Sequence, residues 1–490
     1  MARRIGVELT SGVRSGPTNT GTPSGILHLA GLAEKGPTSR AVTVRSFATY
    51  TRLYGDRAPY AGNLFDAARL FFEEGGSELL VSRVVGPAAS AASVDLLTPD
   101  DGEGGGQEPV ARIQANDFGG FANQWSVRVE QDDETYTVQI LDGDDEVLAA
   151  WRGIDSVEEL VTRSATSTVV TITSLTEDSG SLLLETGDFD LQDGDDDRES
   201  IGTEDVIDAL HKAGTDGEGG AVAVPGYPAD VIGGQLADYA SSSRKIALLS
   251  ADADATLGEV QSLAAELQSS IDGQYAGLFF PHVTIPDGNA SRVVSPEAFV
   301  AALRARAFST GQFWSIPAGV QRGRARWVVG TATPISADLN DQLDEAHVNG
   351  IQTNGSRIYL NNWASLAVDR DNFEFLSARD VLNNLKVQIQ RVLEPFVWET
   401  IDGRGHLLSD IEGAVTSILS PIANQNGFYA ATDSEGEELD PGYRVLVDAT
   451  NNSTETAADN RVQVDVSVRL SPAAKLIQVE IVKVALGAAL

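Results

Sequence analysis

The sequence contains no cysteine among its 490 residues, so it forms no disulfide bond and offers no thiolate for catalysis or metal binding. It has no apolar run near the length of about eighteen residues that a membrane span needs. Met1-Ala-Arg-Arg is a weak start for a secretory signal, and no apolar segment follows it. We therefore expect neither a disulfide framework, nor membrane contact, nor export by the general route.

Positive charge is also scarce, because 35 Lys and Arg side chains stand against 71 Asp and Glu, a net charge of −36. Phosphate contacts need clustered Lys and Arg, and the sequence shows no such cluster, so direct nucleic-acid binding is not expected. Copies of the chain that pack together must overcome mutual repulsion through apolar or hydrogen-bonded contacts.

Signatures of nucleotide and metal chemistry are missing as well. The glycine clusters at 102–106 and 214–220 lack the spacing of a phosphate-binding loop. Asp193, Asp195 and Asp197 imitate the start of a calcium loop, but Arg198 stands where such a loop needs glycine. No two histidines have metal-ligand spacing; they are His28, His211, His282, His347 and His406. We expect no cofactor and no metal.

A serine hydrolase is the enzymatic alternative. Asp252, His282 and the serines of 241–243 or Ser336 are the residue types of a catalytic triad. No Gly-x-Ser-x-Gly elbow surrounds any of these serines. The alternative is therefore an acidic serine-type hydrolase, with or without adaptation to high salt, whose triad rests on residue types alone.

Alternating strand and helix patterns predict an α/β body with a mostly parallel sheet covered on both faces. The predicted elements are strand Gly25–Gly31, helices Ser46–Tyr54 and Asn63–Glu73, strand Leu79–Val85, helix Glu204–Lys212, strand Ala221–Val224, helix Asp230–Ala240, strand Ile246–Leu249, helix Leu257–Ser269, strand Ala276–Phe280 and helix Pro296–Arg306.

An acidic stretch of strands interrupts this body. Alternating patterns at Trp125–Val129, Tyr136–Leu141, Val169–Thr173 and Ser181–Glu185 predict strands joined by acidic turns. Residues 95–200 therefore read as a β-rich insertion.

Two helices dominate the last part of the chain. The first is predicted over Asp371–Val392 and ends at Pro395, and the second over Ser409–Leu419 and ends at Pro421. Three basic side chains interrupt the acidic composition there, and they are either solvated or face an acidic partner: Lys386, Arg391 and Arg404.

The clearest strand signal lies near the C-terminus. Val462, Val464, Val466 and Val468 alternate with polar residues, which places all four on one face of a strand. A second β-branched run follows, with Ile477, Val479 and Ile481 on one face. These strands either complete the chain's own sheet or pair with the edge of a neighbour's sheet.

The patterns divide the chain into five segments. They are an extended arm with Ile5, Val7 and Leu9 (1–24), the first part of the α/β body (25–94), the insertion (95–200), the rest of the α/β body (201–370) and a C-terminal α+β domain with a terminal arm (371–490).

Several ordered segments make the chain resemble the sheath protein of contractile tails, found in myophages and related contractile injection particles. The family's opening has a Pro-Gly-Val arm, and here Ile5 replaces the proline. The segments outside the last domain are Ile5–Glu8, Gly31–Pro37, Ser46–Gly55, Phe71–Gly76, Val81–Val84, Ala223–Gly226, Phe280–His282 and Trp314–Gly319.

The C-terminal match is the most specific. It departs from the family at Ser377–Asp380, where an Arg-Arg pair is common. The matching segments are Asn372–Val392, Glu394–Phe396 with Trp398, Tyr443–Asp448 with Asn451 and Asn452, Val462–Val468 and Pro472–Ile477.

The resemblance implies a structural protein, not an enzyme, with a central domain of subtilisin-like topology. Its members form stacked hexameric rings around an inner tail tube, between a baseplate and a tail terminator, and contract without a nucleotide. Neighbours exchange terminal arms into a shared sheet, so we expect part of 461–484 to cross over, most readily Ile477–Val484. Such a protein resides in the virion tail and is made in the host cytoplasm.

Overall fold

The computed structural model describes residues 25–99, 107–176, 184–214, 219–355, 357–475 and 477–479. Within these ranges the protein is a mixed α/β fold with several sheets. The predicted arm residues Ile5, Val7, Leu9 and Ile481 lie outside the described residues, as does most of the strand expected at 181–185.

The first segment alternates strands and helices as the sequence predicts. Ser46 Oγ accepts a hydrogen bond from Thr49 N and so caps the first helix. Gly75, with a φ of 99°, turns the chain from the second helix into the next strand. The elements are β1 (Leu27–Gly31), β2 (Val42–Val44), α1 (Phe47–Tyr54), α2 (Gly62–Glu73) and β3 (Leu79–Arg83).

The next segment is rich in strands, as expected from its alternating patterns. Its strands form two antiparallel sheets, with the orders β10-β6-β7-β8 and β4-β5-β9, around a core that includes Val127, Ile140 and Leu160. The elements are β4 (Ser93–Leu97), β5 (Pro109–Ala115), β6 (Ser126–Asp132), β7 (Thr135–Leu141), β8 (Val147–Ile154), α3 (Val157–Ser164), β9 (Val170–Ser174) and β10 (Gly187–Asp190).

The α/β pattern then resumes close to the predicted bounds. The elements are α4 (Thr203–His211), β11 (Ala221–Ala223), α5 (Ala229–Ser242), β12 (Ile246–Ser250), α6 (Leu257–Ser270), β13 (Ala276–Phe280), β14 (Val283–Asp287), β15 (Ala290–Val294), α7 (Glu297–Ser309), α8 (Gly319–Arg322), β16 (Gly330–Thr331), α9 (Ala337–Glu345), β17 (Val348–Asn354) and β18 (Arg357–Leu360).

The last segment contains the two expected helices together with short strands. The elements are α10 (Arg370–Phe373), α11 (Leu376–Leu393), α12 (His406–Asn424), β19 (Ala431–Thr432), β20 (Glu438–Asp440), β21 (Tyr443–Leu446), α13 (Thr454–Ala458) and β22 (Asp465–Val468).

The predicted single helix over 371–392 is wrong, because α10 and α11 are separate. Phe375 is extended, and the chain around it pairs with a neighbouring segment: Ser365 N donates to Glu374 O (3.0 Å) and Leu376 N to Trp363 O (3.0 Å). These backbone hydrogen bonds replace those of a continuous helix, so the break is set by tertiary pairing.

Both predicted ends of the second helix are also wrong. The helix starts at His406, since the Asp402 carboxylate accepts hydrogen bonds from the backbone N–H groups of His406 (3.2 Å) and Leu407 (3.1 Å). The hydrogen bond from Leu407 is the main cause that holds the pKa of Asp402 below its ordinary value. Pro421 lies inside the last turn of the helix. Because proline has no N–H, the carbonyl of Ser417 receives no helical hydrogen bond, and Ser417 is an exposed residue.

One eight-stranded sheet organises the body, with the order β18-β17-β13-β12-β11-β1-β3-β2. All neighbouring strands are parallel except β17 with β18 and β2 with β3 at the two ends. Strands from before and after the β-rich segment thus share one sheet, which confirms the predicted mostly parallel sheet.

Helices cover both faces of this sheet. On one face α1, α2 and α7 pack through side chains such as Tyr50, Phe71 and Phe299. On the other, α4, α5 and α6 pack through Val206 and Leu236 among others. Burial of apolar side chains on both faces explains why the strands read as continuous apolar runs.

A buried ion pair joins the β-rich segment to the body. Arg83, at the end of β3, donates from Nη2 to Asp196 Oδ1 (2.6 Å) and from Nη1 to the carbonyls of Gly36 and Phe118 (both 2.8 Å). The acidic run that imitates a calcium loop therefore includes the partner of a buried arginine. The part of the chain that the structure describes contains no group of three side chains suited to hold a metal ion.

Candidate assembly surfaces

The C-terminal helices form a layer with its own core. Side chains of α11 and α12, including Val381, Leu385, Val415 and Leu419, are buried against each other. The packing of one apolar stripe on the other makes the two helices an antiparallel hairpin.

The β21–β22 sheet lies on this helix layer. Val464, Val466 and Val468 are half-buried against the helices, whereas Asp465 and Ser467 are exposed. Val462 packs at the start of α12 with Leu407 and Ile411. The four valines thus share one face, as their alternation predicts, and that face is covered by helices of the same chain.

The register of the pair defines which edge of β22 is free. Tyr443 lies opposite Val468 and Leu446 opposite Asp465, and Arg469 N donates to Gly442 O (2.7 Å). The backbone groups of Asp465, Ser467 and Arg469 therefore point to β21. The backbone groups of the intervening residues point away from β21.

Nothing in the described ranges occupies the edge formed by these groups. The N–H and C=O groups of Val464, Val466, Val468 and Leu470 make no backbone hydrogen bond to a described residue outside β22. On β21, the groups of Tyr443 and Val445 are likewise open. The small sheet thus presents two free edges, each able to accept a further strand.

After β22 the chain runs back along the body and is held at Lys475. Its Nζ contacts Asp344 Oδ2 (2.9 Å) and Glu374 Oε1 (3.1 Å). Burial opposes the charge, but these two carboxylates together raise the pKa of Lys475. Beyond this point Ile477 is 79% exposed and Val479 75% exposed, so two β-branched side chains leave the body without cover.

The three basic side chains that interrupt the acidic C-terminal composition are all exposed. Lys386 and Arg391 lie on α11, and Arg404 lies in the loop that leads to α12. The same loop carries Trp398, which is 98% exposed and has a φ of +74°. The sequence pointed to Trp398 only through the family pattern, since exposure of a single tryptophan cannot be read from periodicity.

Among the described residues, no hydrogen bond joins Asp252, His282 and a candidate serine as a catalytic triad requires. Asp252 follows β12 and His282 follows β13, so both lie at the carboxyl ends of the strands. Burial lowers the pKa of His282, and the negative charge of Asp252 opposes this shift. Serines 241–243 end α5 and precede β12, so they lie at the opposite end of the sheet. Ser336 caps α9 by accepting from Leu339 N (3.3 Å). The structure gives this hypothesis no support.

Within the described residues, no helix has the length and apolar character required to cross a membrane.

Solved structures of tail sheath proteins share the fold described above. The sheath tail protein of Desulfitobacterium hafniense is 14% identical, with a TM-score of 0.55 over 91% of this chain and 93% of that chain. The sheath tail protein of Listeria innocua is 13% identical, with a TM-score of 0.61 over 87% and 89%. The helical sheath of the anti-feeding prophage in its contracted state is 13% identical, with a TM-score of 0.53 over 99% and 100%.

No protein-family sequence model matches the chain, and no curated protein sequence does. The likeness is therefore one of fold. The fold described above, a parallel α/β body with a helix-and-sheet C-terminal layer, matches these solved tail sheath structures, and the resemblance inferred from the sequence is confirmed at this level. The matched proteins are sheath tail proteins and a helical sheath.

Proposed function

We propose that the protein is the non-enzymatic subunit of a contractile sheath, assembled as stacked hexameric rings around an inner tail tube. The sheath contracts and drives the tube through a target envelope, and it connects to a baseplate and a terminator at its ends. The central sheet then corresponds to the subtilisin-like domain of such proteins and residues 95–200 to an insertion. The protein resides in the tail of a particle after synthesis in a host cytoplasm.

The observation that carries this proposal is the β21–β22 sheet with two free edges. A two-stranded sheet is marginal by itself, and open edges invite a further strand. The chain also has two apolar arms of strand-like sequence, one with Ile5, Val7 and Leu9 and one with Ile477, Val479 and Ile481. Two edges and two arms fit a lattice in which each sheet receives arms from neighbours.

The test is a truncation placed by the structure. A variant that ends at residue 476 keeps Lys475 and its two ion pairs and loses the arm. We expect it to unfold at the same temperature as the full chain, because Ile477 and Val479 are largely exposed. Full-length protein should form tubes in negative-stain electron micrographs, whereas the truncated protein should remain as small particles. Tubes formed by the truncated protein would contradict the arm-exchange proposal.

A further inference from the structure

A long stretch of the body is free of acidic residues. From Ala298 to Ser336 the sequence contains five arginines and no Asp or Glu, in a chain where about one residue in seven is acidic. Arg304 is buried and paired with Asp380. The other four arginines, at 306, 322, 324 and 326, are drawn together by the fold.

Arg306, at the C-terminal end of α7, organises this cluster. Its Nη2 donates to the carbonyls of Arg322 (3.1 Å) and Arg324 (2.6 Å), and its Nη1 contacts Glu74. Burial and the nearby charge of Arg326 lower the pKa of Arg306, and Glu74 opposes them. The cluster thus concentrates positive charge around one partly buried guanidinium.

The edge strand β18 adds a fifth arginine. Ala325 N donates to Ile358 O (2.8 Å) and Leu360 N to Gly323 O (2.9 Å). This antiparallel register places Arg326 opposite Arg357. We call the resulting surface the arginine face; it consists of Arg306, Arg322, Arg324, Arg326 and Arg357.

Most of the arginine face has no acidic partner. Arg322, Arg324, Arg326 and Arg357 are exposed and form no ion pair with any described residue. Glu74 does not neutralise them, because it is fully buried and its carboxylate accepts backbone N–H groups of residues 326–328 as well as Arg306. Four exposed guanidinium groups are thus available to an acidic surface.

Such a surface is carried by every copy of the chain. Residues 95–200 contain 27 acidic and five basic side chains, a net charge of −22 out of −36. The turn between β6 and β7 presents Asp132, Asp133 and Glu134, all exposed and without an ion pair to a described residue.

The two surfaces belong to different parts of the subunit, the body and the β-rich segment. The arginine face adjoins the turn of Glu74 and Gly75, which leads to the amino end of β3. The acidic segment departs after Arg83, at the carboxyl end of the same strand. One copy therefore carries a basic surface and a separate acidic surface.

We propose that the arginine face binds the acidic β6–β7 turn of a second copy, head to tail. A contact between two different surfaces does not close on itself and propagates along a polymer. This inference rests on the proposed function for its repeating lattice, but it concerns a contact other than the arms. It also explains how a chain of net charge −36 can pack against itself: the contact joins opposite charges.

The absence of cysteine allows a direct test. Gln321→Cys marks the arginine face and Gln131→Cys marks the acidic turn, and both replace exposed neutral residues. The two variants are mixed at low salt and treated with a short bismaleimide. We expect a cross-linked heterodimer at a yield about tenfold above that of a control mixture of Gln131→Cys with Gln425→Cys, and loss of that excess at about 0.5 M NaCl.

Charge reversal and restoration decide the outcome. Adding R322E, R324E and R326E to the Gln321→Cys chain should abolish the excess of cross-linked heterodimer. Mixing this reversed chain with a Gln131→Cys chain that also carries D132K, D133K and E134K should restore the excess. Cross-linking no better than the control, or excess that survives the reversal, would overturn the proposal. So would retention of a short DNA duplex by the arginine face without cross-linking, which would assign the face to nucleic acid.

This readout does not depend on tube formation. The variant that ends at residue 476 should cross-link as the full chain does. Failure of tubes and failure of the charge contact are therefore separate results.

Discussion

Individual buried charges attach the C-terminal layer to the body. Arg304 on α7 donates to both carboxylate oxygens of Asp380 on α11 (2.6 and 2.7 Å), and their side chains are 2% and 5% exposed. A paired buried charge of this kind contributes little compared with apolar packing, but removal of one partner is costly. The pair therefore makes the position of α11 on α7 specific.

We expect Arg304→Met to destabilise the protein by roughly 3–5 kcal/mol at pH 7, because Asp380 is left buried without its partner. Burial raises the pKa of Asp380, and Arg304 opposes this shift. Without Arg304 the folded-state pKa of Asp380 rises further, so the deficit should be small below about pH 4, where the carboxyl is protonated in both proteins, and should grow as the pH rises. Urea unfolding at several pH values measures this.

Two controls accompany this variant. Arg45→Met removes the partner of Glu78 from a pair whose arginine is 75% exposed, and it should cost less than about 1 kcal/mol. The double variant Arg304→Met/Asp380→Leu should recover most of the loss. A deficit for Arg304→Met that does not change with pH would mean that lost packing, not the unpaired carboxyl, is the cause.

At the scale of elements, the free edge of β22 permits a sharp substitution. The N–H of Val466 points away from β21, so Val466→Pro removes no hydrogen bond of the subunit's own sheet, and proline is tolerated at such edges. It does remove a donor that an added strand would use. We expect Val466→Pro to fold but to form no tubes in electron micrographs.

The neighbouring residue supplies the matched control. The backbone N–H of Ser467 points to β21. Ser467→Pro should therefore remove a hydrogen bond within the subunit and destabilise the folded protein by roughly 1–3 kcal/mol. Val466→Ala tests the loss of side-chain packing alone and should still form tubes. Normal tubes from Val466→Pro would show that this edge receives no strand.

These elements also show how far sequence patterns reach. Strands β1, β12 and β13 and helices α2, α5 and α6 carry complete local signals, because their apolar spacing acts within one element. The break at Phe375 and the start of α12 at His406, which Asp402 caps, depend on partners distant in sequence or at unusual spacing. Periodicity does not record such contacts.

The candidate surfaces were predictable to different degrees. The shared face of the four valines follows from period two. The arginine face does not, since Arg357 joins Arg326 through a strand pairing, although the acid-free run from Ala298 to Ser336 was a readable sign. The free edges appear only once the register of β21 and β22 is known.

At the scale of the whole molecule, three surfaces divide the proposed contacts. The open edges of the β21–β22 sheet serve arms of neighbours, and the arginine face serves the acidic turn of another copy. The loop between α11 and α12 projects Trp398 beside exposed cations. We propose this loop as the surface for a different partner, the inner tube.

We expect the triple variant Lys386→Glu/Arg391→Glu/Arg404→Glu to form sheath tubes alone but not to enclose the inner tube. The three side chains are exposed, so their reversal leaves the body intact and turns an attractive surface repulsive toward an acidic tube. Cryo-electron microscopy of particles assembled with the variant measures this as sheaths without a central tube. The neutral variant with three glutamines should enclose fewer tubes than the wild type and more than the reversed variant. If the reversed variant encloses tubes as often as the wild type does, the tube contact lies elsewhere. If the reversed variant forms no sheaths at all, these cations serve the contacts between sheath subunits.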